Sequence, residues 1–188
     1  MKEEEEIKAV QDDRRHSKDE RRQKDNIREK GKNVQKKNAK FLSLSLEDSE
    51  QMSSPNSKVS KRFRSDGKLV PSKDDYNHYR DSKAMDYVLY YRNKKTDDWV
   101  DIYFFCKYTK EPGGYQESIM HEISVTKDCI DKNEDKNVVV IFMLEGEFWE
   151  SSEDKIKEAG FDNKKTFYAK TENLEEVITS ILVDRALI

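Results

Sequence analysis

Asp86 and Lys107 are the two residues of this chain whose types and placement could do chemistry. Asp86 stands where one strand begins. Lys107 stands near the end of a second strand, Trp99 to Tyr108, that is otherwise mostly apolar and aromatic. Side chains alternate across a strand, so Asp101, Tyr103, Phe105 and Lys107 share one face, and Ile102, Phe104, Cys106 and Tyr108 share the other. If the polar turn Asn93 to Asp98 centres between Lys95 and Thr96, Asp86 falls opposite Phe105. A small register shift sets it opposite Lys107. Either register brings acid and amine to one face of a sheet. Carboxylates hold a hard divalent ion such as Mg²⁺ through oxygen, and the ion lowers the pKa of an attacking water. A lysine orients that water or stabilises the developing charge. An acid and a lysine on a hairpin are thus sparse ingredients of metal-dependent phosphodiester cleavage. The bland alternative has equal weight: a solvated acid at a strand start, and a lysine that guards an edge strand against aggregation.

The elements that must position these residues are legible after Asp81. Met85 to Arg92, rich in Tyr, Val and Leu, reads as a strand, and Trp99 to Tyr108 as a longer one. Pro112-Gly113-Gly114 ends the second. Tyr115 to about Ile130 reads as a helix with Ile119, Ile123, Thr126 and Ile130 on one face. Val138 to Leu144 is an unbroken apolar run, the pattern of a strand covered on both sides. Ser151 or Ser152 can cap a short helix that ends before Gly160. Lys165 to Lys170 reads as a strand. Asn173 and Glu176 form a capping-box-like start to a last helix, striped by Leu174, Val177, Ile178, Ile181 and Leu182. The order hairpin, α, β, α, β, α predicts an α/β fold. Its mixed central sheet has an antiparallel hairpin, then parallel strands, with flanking helices. About 110 residues suffice for its core.

The first part of the chain differs. Through Arg80 it carries 21 basic and 16 acidic residues, against 15 basic and 23 acidic from Asp81 onward, so the foldable part is acidic. That balance disfavours tight nonspecific DNA binding by the domain itself. Large apolar residues are sparse before Tyr79 and form no heptad seam. Residues 1–78 therefore read as a charged, largely disordered tail, with Glu/Lys pairs supporting a transient helix within 1–40 and a Ser-rich linker over Ser43 to Lys73. A sharper reading makes the tail a basic arm on nucleic acid through Arg14, Arg15, Arg21, Arg22, Lys36, Lys37 and the cluster Lys61-Arg62-Phe63-Arg64. Interleaved acids weaken it. The domain is read as 79–188.

Cys106 and Cys129 show no zinc-ligand spacing. Reduced thiols and no signal peptide predict an intracellular, cytoplasmic protein, and no apolar run is long enough for a membrane span. No Ser/His/Asp arrangement, P-loop or dinucleotide glycine fingerprint is present.

The stretch from Asp81 to Leu182 resembles the PD-(D/E)XK nuclease superfamily, the restriction-endonuclease-like fold. Asp86, in Met85-Asp86, matches the first acid of its motif. Phe105-Cys106-Lys107 lies where Glu-Cys-Lys is common, so Lys107 matches the lysine and Phe105 departs from the acid. The Glu-Pro-Gly-Gly-Tyr-Gln segment resembles the loop and glutamine that follow this strand in some restriction enzymes. The resemblance implies a Mg²⁺-dependent DNA endonuclease that can act as a homodimer. Asp86 would bind metal, Lys107 would assist catalysis, and Glu117 would supply the missing acid from the helix, as both ligand and catalytic group. Asp101 and Gln116 are additional candidates, and Arg62 and Arg64 are candidates for touching nucleic acid. The alternatives are the same fold without turnover, binding nucleic acid or protein, and an interaction protein that works through its charged tail.

Overall fold

The computed structural model describes residues 18, 19, 21–23, 25, 26, 29, 61–72, 74, 76, 77, 79–93, 96–109, 116–161 and 164–188. The Pro112-Gly113-Gly114 break, the linker as far as Ser60, and Arg14, Arg15, Lys36 and Lys37 lie outside them. The elements are β1 (Lys61–Phe63), β2 (Leu69–Pro71), β3 (Tyr87–Arg92), β4 (Trp99–Tyr108), α1 (Gln116–Asp131), β5 (Val138–Glu145), α2 (Glu147–Glu150), α3 (Glu153–Glu158), β6 (Thr166–Ala169) and α4 (Leu174–Asp184).

The main sheet has the order β3-β4-β5-β6, antiparallel between β3 and β4 and parallel from there on. The α/β class with a mixed sheet is thus as the sequence implies. Tyr87 pairs with Phe104, so the register extends to set Asp86 opposite Phe105. β5 lies between β4 and β6, and its residues Val138 to Leu144 are all buried, which is why this run carries no polar residue.

Strand alternation divides the core into two. On one face Tyr87, Leu89, Ile102, Phe104, Ile141 and Met143 pack against Leu174, Ile178, Ile181 and Leu182 of α4. On the other Tyr103, Phe105, Val140 and Phe142 meet Ile123 and Ile130 of α1, Phe148 and Trp149 of α2, and Phe63 of β1. Asn173 precedes α4 without capping it through its side chain, contrary to the capping-box expectation. Its Oδ1 instead accepts from the Lys170 amide at 2.7 Å, holding the turn after β6.

The folded unit begins earlier than 79. β1 and β2 form an antiparallel hairpin in Lys61–Pro71, within the stretch read from sequence as linker. Phe63 is fully buried, edge-on to Tyr103 at 6.1 Å. The chain then returns along β1: the Ser82 amide donates to Phe63 O and the Met85 amide to Lys61 O, both at 2.8 Å. At the hairpin tip Gly67 has φ +84, and a Cβ there would run into the backbone carbonyl of Lys132 at the end of α1. Only glycine lets the turn close against the helix.

Further back, the described residues 18, 19, 21–23, 25, 26 and 29 are helical, and Gln23 is buried with its Nε2 donating to Met143 O at 3.4 Å.

Candidate functional site

Asp86 is placed by a change of partner. Up to Met85 the chain pairs with β1; from Tyr87 it pairs with β4. At the switch the Asp86 amide donates to Phe104 O at 2.8 Å. The Cys106 amide lies beyond the last β3 pair, and Asp86 Oδ2 accepts from it at 2.8 Å. A carboxylate oxygen thus replaces the ladder carbonyl that the departing strand withdraws.

Lys107 is at the other end of the same local structure. Its ammonium lies 2.8 Å from Glu122 Oε2 on α1, and the Lys83 ammonium holds the opposite carboxylate oxygen. Burial pushes the Glu122 carboxyl up, but the two ammonium groups outweigh it and hold it below the usual range. Glu122 follows Ile119 by three positions and precedes Thr126 by four, so it rides on the margin of the buried stripe of α1 and faces the sheet. That spacing was the sequence signal for it. Glu117, the expected acid, is exposed at the first turn of α1, as is His121 beyond it. The Gln116 side chain lies outside the described residues.

Phe105 stands where the nuclease resemblance would place its second acid. It is 1% exposed and packs on Phe142 with ring centroids 5.2 Å apart. The face that would carry oxygen ligands is core at this point. Among the described residues no group of three or more His, Cys, Asp and Glu is placed to hold a metal ion. Among the described residues, the charged groups gathered around Lys107 and the start of β3 are Asp86, Glu122, Lys83 and Lys107, whose formal charges cancel. A hard divalent cation needs several oxygens and net negative charge. This donor set does not fit Mg²⁺.

Asp101 lies at the far end of β4, on the same face, and takes no part in this cluster. Burial pushes its carboxyl up to about 6, nearby Asp135 adds to the shift, and Lys61 opposes it. In the unfolded chain it ionises near 3.8. Folding therefore meets no penalty below that value, a growing one between about 4 and 6, and a constant one above. Asp101→Asn is expected to raise stability by about 1–3 kcal/mol at pH 8 and to change it little at pH 3.5. Urea unfolding at the two pH values checks this; an equal effect at both would assign the gain to something other than ionisation.

The two arginines read as nucleic-acid contacts part company. Arg62 is 8% exposed, with its guanidinium 4.0 Å from the centre of the Tyr76 ring and donating to Ser72 O. It braces the segment after β2. Arg64 is exposed.

No protein-family model, curated protein or solved structure matches this chain. No helix among the described residues is long and apolar enough to cross a membrane.

Proposed function

We propose that residues from Lys61 onward form a restriction-endonuclease-like domain that has lost metal-dependent cleavage and works by binding. The observation that carries this reading is Phe105, buried against Phe142 where the nuclease motif needs its second acid. The neighbouring charges support it. Lys107, the residue that would activate water, is paired with Glu122, and Asp86 completes the backbone ladder at Cys106. Both motif residues then serve to hold α1, β3 and β4 together.

A second reading is favoured by one contact. Glu122 stands 2.8 Å from Lys107, where a migrated acid would be useful, so the helix could supply it from Glu122 rather than Glu117. Incubating the native protein with plasmid and with single-stranded DNA, in Mg²⁺ and then Mn²⁺, separates the two. The first reading expects no nicking above that of Lys107→Ala. Cleavage that disappears in both Lys107→Ala and Glu122→Gln would establish the second.

A further inference from the structure

Lys61–Lys83 is the basic part of an otherwise acidic folded unit. It has seven Lys and Arg against four Asp, whereas the chain after it has 14 basic and 22 acidic residues. Two of the four acids are engaged within the segment. The Asp81 carboxylate is buried and accepts from the Ser65 amide at 2.9 Å and the Asn77 amide at 3.0 Å. Asp66 lies 3.4 Å from the Lys68 ammonium. Arg62 is buried and Lys83 is paired with Glu122, so among the described residues Arg64, Lys68 and Arg80 are the remaining exposed cations of the segment, against exposed Asp66 and Asp74.

The same bonds bring two pieces of chain together. One carboxylate gathers Ser65 and Asn77, so Arg64 at the hairpin and Tyr76 in the return segment become neighbours. Turn hydrogen bonds from Arg80 and Asp81 to Asn77 O fold the return segment, and Cys129 Sγ on α1 binds Arg80 O at 3.2 Å. Tyr79 is 71% exposed and Tyr76 is 43% exposed with Arg62 beneath its ring. Two large, partly exposed rings stand on a backbone held at Asn77, Arg80 and Asp81, beside exposed Arg64 and Arg80, and make a preorganised surface.

We propose that this surface binds a single nucleic-acid strand, with bases stacked on Tyr76 and Tyr79 and phosphates neutralised by Arg64 and Arg80. Exposed rings take unstacked bases, whose faces a duplex keeps covered, and the cations supply the phosphate term. The surface lies on the hairpin side of the domain and uses neither Lys107 nor Glu122. The inference rests on the reading of the domain as a binding module. Working in chelator keeps cleavage out of the measurement, so failure of binding and appearance of cleavage remain separate results.

The test is fluorescence anisotropy of the full chain with labelled single-stranded DNA and RNA of about 12 nucleotides, and with the corresponding duplex, from about 50 to 200 mM salt. The single strand, of either sugar, is expected to bind more tightly than the duplex. Tyr79→Ala should weaken it about tenfold or more at a temperature well below its own measured Tm, and Tyr79→Phe should leave it within about twofold. Arg64→Ala with Arg80→Ala should lower the log–log salt slope by about one to two. Absence of binding at the lowest salt, preference for duplex, or binding indifferent to Tyr79→Ala would each overturn the proposal. The last result would move the contact to the basic residues before Lys61.

Discussion

A chain that starts at Tyr79 is expected to melt more than about 10 °C below the intact protein, and Phe63→Ala in the intact chain to cost about 3–5 kcal/mol. Phe63 fills space between α1 and the sheet, against Tyr103, and is fully buried. Removing its ring leaves a cavity that a hairpin pinned at Gly67 and Ser82 cannot collapse into. Deleting the hairpin also exposes Met85 and strips the amides of Ser82 and Met85 of their carbonyl partners. Thermal unfolding by circular dichroism of the intact chain, of a chain from Lys61 and of a chain from Tyr79 checks this. Equal melting of all three would show that β1 and β2 contribute nothing to the cooperative unit.

Phe105→Glu is expected to destabilise the domain by at least about 4 kcal/mol at pH 8, and by less where the new acid is protonated. The substitution removes a ring packed on Phe142 and sets a carboxylate in a buried apolar layer. A carboxyl there has its pKa raised by burial, so the folded state holds its proton at higher pH than the unfolded one. Stability relative to the native protein therefore falls as pH rises from about 4. Added Mn²⁺ should not recover the loss, since Asp86 and Glu122 are already committed. Urea titrations with and without Mn²⁺ read this directly. A variant restored to native stability by the metal would show that oxygen ligands converge at this position after all.

Much of the sheet was legible in the sequence because its signals are long. Trp99 to Tyr108 is long and aromatic enough to read as a strand, the polar turn before it limits the β3–β4 register to two choices, and an unbroken apolar run is readable as a strand covered on both faces. The β1–β2 hairpin was not legible by periodicity, since three-residue strands have no period to display. Its signal was local: Asp66-Gly67 between Phe63 and Leu69-Val70, a turn pair flanked by apolar residues. Among the site residues, strand alternation set Phe105 and Lys107 on one face, and of the two registers the turn allowed, the structure has the one with Asp86 opposite Phe105. It could not show that Phe105 is core, which depends on the Phe142 ring one strand away. Nor could it choose between acids on α1. Glu117 is closer in sequence to the glycine break, but the helix turns it to solvent, and Glu122 reaches Lys107 because it borders the buried stripe.

Calorimetric titration of the native protein with Mg²⁺ and Mn²⁺ at millimolar concentration tests the central claim most directly. A cluster whose two carboxylates are matched by two ammonium groups, beside a buried phenyl ring, should give only heats of dilution. A saturable heat that vanishes in Asp86→Asn and in Glu122→Gln would contradict it.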